Sequence, residues 1–337
     1  MRIVTNIVVI ALIFMGLVSC NNNSVVEEEV IDLLGPECGY ILFNTGVVSR
    51  GALIEDYLKD DFYVHGYRYA NTWEAAKAQA TPNEFHEQLI SYDEGKGIHT
   101  YSPLKPWLGT QKYSFFAYYP ANVETISATH EGNPYIVYTL ASRENPAALK
   151  DVMTANVIDT DASARTVNFT MKHRLSAIDV VGRNFNDEGK SVEVSKLVIN
   201  FTNLFHQKVT IPLNFNDEPN LKHVKGDTLT GNAAKANYTL INNDKLKVNS
   251  GGSETLLSNG KTMIVIPQTD YLEGTIDLTF KNEGGSEVTK TEDLNMNCEI
   301  LSGRRYYIQL TFTQDNVTIA IIQSEEWGDK NIDYEFE

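Results

Sequence analysis

The rhythm of the apolar residues is the strongest constraint in this sequence. Short runs rich in Val, Ile, Thr, Tyr and Phe recur along it, separated by Asn, Asp and Gly. They include YILFNTG (40–46), DFYVHGYRY (61–69), KYSFFAYYP (112–120), PYIVYTL (134–140), RTVNFTM (165–171) and SAIDVVGRN (176–184). VEVSKLVINF (192–201), KVTIPLNF (208–215), TMIVIPQT (262–269), GTIDLTFKN (274–282), RYYIQLTFT (305–313) and NVTIAIIQS (316–324) continue the series. Each reads as a strand bounded by turn residues. Helical pattern is scarce. TWEAAKAQA (72–80) predicts about two turns capped by Asn71 or Thr72, and NPAALKD (145–151) about one. Many short strands with turn chemistry between them predict an all-β chain built as sandwiches or barrels, not an alternating α/β fold. A length of 337 residues suggests two domains. The boundary is placed near residue 165, between DTDASA and RTVNF.

The FFAYYP stretch puts Phe115, Ala117 and Tyr119 on one face of a strand and Phe116 and Tyr118 on the other. Apolar bulk on both faces predicts a strand covered on both sides. A sugar-stacking platform joined by Trp73 and Trp107 is the sharper alternative, while Trp327 reads as a packing anchor. NFNDE occurs at 184–188 and again at 214–218. Asn and Asp favour turns there by bonding nearby backbone. A calcium loop fits poorly, because its twelfth position is Ser195 where a bidentate Glu is needed.

The first twenty residues, MRIVTNIVVIALIFMGLVSC, carry Arg2 and then an apolar run from Ile3 to Val18 broken by Thr5, Asn6 and Gly16. The run is short for a spanning helix, which needs about 20 apolar residues. It fits a secretory signal. Leu17-Val18-Ser19-Cys20 matches a bacterial lipobox, making Cys20 the expected lipidation site and 1–19 the signal peptide. Residues 20–39 read as a polar, acidic tether, and Asn22 in place of Asp favours export to an outer membrane. A formal charge of −16 gives no electrostatic footprint for nucleic acid and no polybasic patch for anionic lipid. Cys38 and Cys298 remain as two separate thiols, a disulfide between them being the alternative that an oxidising compartment would permit.

No nucleophile elbow, zinc-protease helix, phosphate loop or dinucleotide fingerprint is present. The seven histidines, at 65, 86, 99, 130, 173, 206 and 223, are scattered with no i, i+4 pair, and read as structural. The expectation is a chain that is not an enzyme and takes no cofactor or metal.

One residue stands out. Between Ile3 and Leu58 the only basic side chain is Arg50, followed by Gly51 and Ala52 and preceded by a strand-like run. With the lipobox, ILFNTGVVSRGA, FYVHGY, SFFAYYP, DVMTA (151–155), VNFTMKHRLSAIDV, IVIPQT, GRRYYIQLTF and VTIAIIQSEEW, in this order, the chain resembles the fimbrillin-like proteins, type V pilin subunits of Bacteroidetes surfaces. The resemblance spans the chain. It implies two transthyretin-like β-sandwiches in tandem, over 40–165 and 166–337. It also implies a lipid-anchored precursor at the outer membrane and an Arg-specific protease that cuts between Arg50 and Gly51. The anchor and first strand then leave, and a strand from another pilus subunit fills the groove, giving a fimbrium with adhesion as its output. Stalk and tip roles stay open. The short acidic stretch after Trp327 leaves little to donate, which favours a tip. An anchor subunit that escapes cleavage and a non-polymerising surface lipoprotein that binds host glycan or protein are the alternatives.

Overall fold

The computed structural model describes residues 39–47, 58–140, 150–186, 190–204, 206–214, 235–258, 260–313 and 316–323. The chain is almost entirely strand. The first half contributes β1 (Leu42–Val47), β2 (Phe62–Tyr69), β3 (Phe85–Asp93), β4 (Ile98–Thr100), β5 (Lys112–Tyr119), β6 (Ile126–Thr129), β7 (Tyr135–Thr139), β8 (Met153–Thr160) and β9 (Thr166–His173). The second half contributes β10 (Ser176–Asn184), β11 (Val192–Phe201), β12 (Lys208–Pro212), β13 (Ala236–Val248), β14 (Thr255–Leu256) and β15 (Met263–Val265). It ends in β16 (Leu272–Asn282), β17 (Glu287–Met296), β18 (Arg305–Phe312) and β19 (Val317–Gln323). The α-helix among the described residues is a single short one, α1 (Trp73–Ala76), running into a 3-10 turn at Lys77–Gln79.

The helix falls where TWEAAKAQA predicts it, but its start is held differently. Thr72 caps it in extended conformation without a side-chain hydrogen bond. The Trp73 amide instead donates to Asp159 Oδ1 at 2.7 Å, from the end of β8. The turn expected at 145–151 lies mostly outside the described residues.

A seven-stranded sheet runs in the order β1-β9-β8-β5-β2-β3-β4. The boundary expected near residue 165 is followed by one more strand of this sheet, β9, and the chain crosses over at Arg174–Leu175. Arg174 is buried there, with its Nε donating to Thr154 Oγ1 at 2.7 Å, and burial pulls its guanidinium down to about 9. Beyond it, β14-β10-β18-β19 form one sheet, with β15 also on β10, and β13-β11-β16-β17 form another. These two sheets enclose a shared core that includes Ile178, Val180, Leu197, Ile199, Phe280 and Leu310.

The β5 strand shows why its sequence is apolar throughout. Tyr113, Phe115 and Ala117 belong to one core with Phe62, Val64 and Phe85. Phe116 and Tyr118 belong to another with Tyr67, Trp73, Ile136 and Tyr138. Both faces are covered, as the run predicts. The second of these cores is completed by residues from beyond the crossover: Leu175, Ala177, Val209, Ile211, Leu213, Ile264 and Ile266. The third sheet, β12-β7-β6, has the same mixed origin, since β12 lies antiparallel to β7 with Val209 opposite Tyr138 and Ile211 opposite Ile136. From Ile41 onward the described residues form one compact unit.

Candidate functional site

The β1 strand has the residue pattern of a strand with one buried face. Ile41, Phe43 and Thr45 are buried, while Leu42 and Gly46 are half-buried and Asn44 is exposed. The period of two follows from the alternation of side chains along an extended chain. Burying Ile41 and Phe43 contributes about 1.5–3 kcal/mol each.

The Phe43 ring is the centre of the site. It stacks on Phe169 with centroids 5.7 Å apart and planes 10° from parallel. Edge contacts at 5.4 Å to Phe85 and 5.6 Å to Phe115, with a tilted one at 5.6 Å to Tyr101, close the ring of aromatics around it. Such pairs add about 0.5–1.5 kcal/mol each beyond area burial. The Tyr101 hydroxyl donates to the Ile41 carbonyl at 2.7 Å and accepts from the Lys105 amide at 3.2 Å. The Ile41 amide donates to the Lys105 carbonyl at 2.9 Å. Burial raises the Tyr101 phenol above its ordinary range, so it remains a donor. These bonds pin the start of β1 to the segment leading from β4 to β5.

The register sets β1 apart from the rest of its sheet. It runs parallel to β9, from Leu42 opposite Thr166 to Val47 opposite Met171. The other adjacent pairs of the sheet, β9-β8, β8-β5, β5-β2, β2-β3 and β3-β4, are antiparallel. A parallel pair needs a long connection and is slightly weaker per residue. The β1 strand is also outermost, so lifting it away breaks no other strand pair. It would leave the β9 edge unpaired beside an apolar trough lined by Val167, Phe169, Met171, Phe85, Phe115 and Tyr101. An unpaired edge over an apolar trough is a template for another strand.

Cys20, Cys38, Arg50 and Gly51 lie outside the described residues. The segment carrying Arg50 connects β1 to β2. Cys298 is half-buried, and burial pushes its thiol up. Trp73 packs against Phe116 and Trp107 against Tyr113, each at 4.9 Å, but both are buried and lie in different cores, so with the β5 aromatics they form packing and not one exposed stacking platform. Asn184, in the first NFNDE copy, makes turn bonds: its Oδ1 accepts from the Asn186 amide at 2.9 Å, and its Nδ2 donates to the Lys190 and Val248 carbonyls. Among the described residues no three His, Cys, Asp or Glu side chains converge to hold a metal ion. The parallel register of β1 and the role of Tyr101 were not visible in the sequence, because both join segments far apart in the chain.

An almost all-β chain, with a parallel edge strand seated in its own aromatic core, defines the class of protein. Its fold is shared with a fimbrial protein from Bacteroides vulgatus, which matches at 16% identity over 85% of this chain and 99% of that one, with a TM-score of 0.59. Candidate cell-adhesion proteins from Bacteroides ovatus and Bacteroides uniformis align at 15% and 17% identity, over 87% and 86% of this chain and 98% and 99% of theirs, with TM-scores of 0.49 and 0.47. A search of curated proteins found no match. The fimbrillin-like family model matches residues 60–327, and the chain belongs to that family. Membership makes it a pilus-type adhesion subunit of a cell-surface appendage.

Proposed function

We propose that this chain is a structural subunit of a type V pilus whose first strand is a removable plug. It is delivered to the outer membrane as a lipoprotein through Cys20 and is cut by an Arg-specific protease between Arg50 and Gly51. The freed β1 strand leaves with the anchor, and a strand from another subunit takes its place along β9. The organisation into two sandwiches belongs to this reading, with the boundary shifted from 165 to beyond β9 (Thr166–His173), which completes the first sheet. So does a non-catalytic role.

The observation that carries the proposal is the seating of β1: outermost, parallel, and inserting Ile41, Phe43 and Thr45 into the core. A strand from another chain recovers both the backbone pairing and the apolar burial, which is how strand addition gives affinity and specificity together. The resulting contact joins unlike surfaces and does not close on itself, so it propagates a filament. The β19 strand is paired with β18 and packs Ile319 and Ile321 against its own core. It is thus occupied within its own subunit, and the donated strand comes from elsewhere.

The test is the intact mass and N-terminal sequence of protein sheared from cells, compared with an Arg50→Ala variant. An N-terminus at Gly51 in the wild type, with the variant retained at lipidated Cys20 and unable to polymerise, is the expected result. A wild-type N-terminus at lipidated Cys20, unchanged by the substitution, would replace this reading with an anchor subunit or a surface lipoprotein that binds host glycan or protein.

A further inference from the structure

Three of the seven histidines meet in the fold. His65 lies on β2, His86 on β3 and His130 in the loop between β6 and β7. Ring centroids separate His86 from His130 by 3.9 Å, His65 from His130 by 5.6 Å and His65 from His86 by 6.5 Å. The Nε2 atoms of His86 and His130 face each other at 2.6 Å. At that distance one nitrogen donates and the other offers its lone pair. The space between the two facing nitrogens is a position a metal cation can take.

His65 supports the pair but is not itself a ligand. Its Nδ1 accepts from the Glu87 amide at 3.2 Å, which leaves its proton on Nε2. That Nε2 is buried and without a hydrogen-bond partner. Glu87 is engaged elsewhere, accepting from the Tyr118 hydroxyl. The loop bearing His130 is held in place by the Tyr67 hydroxyl, which donates to the His130 carbonyl, and by Gly132, whose amide donates to the Ala80 carbonyl at 2.8 Å. His86 is exposed, so an ion reaches the pair from solvent.

We propose that His86 and His130 form a two-imidazole site for a divalent transition-metal ion, with zinc as the test ion, which ties the β6–β7 loop to β3. Imidazole suits zinc, copper and nickel. Zinc–nitrogen bonds of about 2.0–2.1 Å in tetrahedral geometry place two ligand nitrogens roughly 3.3 Å apart. The exposed His86 ring needs to swing outward by less than about 1 Å to reach that spacing. The other coordination positions go to water or to a group from outside the chain, consistent with the lack of any three-ligand cage among the described residues.

The test is calorimetric titration of the untagged full chain with zinc chloride at neutral pH. Binding of one zinc per chain is expected, weakened at least about tenfold in His86→Ala and in His130→Ala and unchanged in His206→Ala. Absence of binding, or binding that persists in the His86→Ala/His130→Ala double variant, overturns the proposal. Copper(II) electron paramagnetic resonance of the wild-type chain is a second readout that depends on no variant. Hyperfine structure from two equatorial nitrogens is expected; one or none also overturns it.

Discussion

Phe43 and Phe169 stack ring on ring across the one parallel register of the seven-stranded sheet, 5.7 Å apart and 10° from parallel. The contact joins the strand proposed to leave with the strand that would receive its replacement. Its strength measures how firmly the precursor is closed.

Truncating Phe43 should show this directly. Phe43→Ala in the uncleaved chain is expected to cost about 3–5 kcal/mol in urea denaturation, the range for a buried Phe. Asn44→Ala, one residue along on the exposed face, should stay within about 0.5 kcal/mol. Equal effects at the two positions would mean that β1 does not insert as described.

The trough should also recognise β1 as a separate peptide. A peptide spanning residues 41–47 is expected to bind the chain cut after Arg50. Its Phe43→Ala counterpart should bind at least about a hundredfold more weakly, since about 3 kcal/mol of lost burial corresponds to that ratio. Fluorescence anisotropy with labelled peptides measures both, and indifference to the substitution would contradict the stacking geometry.

Gly274 at the β11–β16 pairing tests the second half of the molecule independently. A Cβ there would overlap the Asn200 carbonyl, which is backbone and has no room to yield. Gly274→Ala is expected to destabilise by about 1–3 kcal/mol or more, seen as a lowered thermal midpoint with the strand content of the remaining fold retained.

His65 predicts an acid-sensitive fold. Its folded value near 3 lies below the ordinary 6.5, so the unfolded chain binds a proton that the folded chain refuses. Stability is full above about pH 6.5 and is lost as pH falls toward 3, at up to about 1.4 kcal/mol per pH unit. His65→Gln, which keeps an acceptor for the Glu87 amide, should flatten the slope of stability against pH by about one proton. Denaturant titrations at stepped pH values measure it, and an unchanged slope would place the acid response elsewhere.

Much of the strand content was legible because apolar alternation is local. SAIDVVGRN (176–184) and VEVSKLVINF (192–201) coincide with β10 and β11, and RYYIQLTFT (305–313) with β18 to within a residue. The strand series left out β3 and β8, whose apolar residues do not alternate cleanly, and the more polar β13 and β17. In β17, EVTKTEDLNM, exposed Glu287, Thr289, Thr291 and Asp293 alternate with half-buried Val288, Lys290 and Glu292 on an outer strand, and little of it reads as core. In β13, Asn242, Asn243 and Asp244 interrupt the apolar pattern and Asn243 takes a positive φ of 65°, yet the strand passes through them with a shift in register. The site was legible only in outline. The β1 alternation is local, but its parallel partner β9, the Tyr101 hydroxyl that pins it and the meeting of His65, His86 and His130 are products of tertiary pairing. Histidines read one at a time, with no helical spacing between them, looked unrelated.

The pairing of β12 with β7 bears on how such a molecule carries load. Two independent cores joined by a linker would part at the linker under tension. Here Lys208–Pro212 lies hydrogen-bonded beside Tyr135–Thr139, and Tyr138, Val209, Leu175 and Ile264 share a core that spans the crossover at Arg174–Leu175. A pull transmitted through the chain therefore meets one stiff body instead of a hinge, and yields by breaking a core instead of by opening a joint.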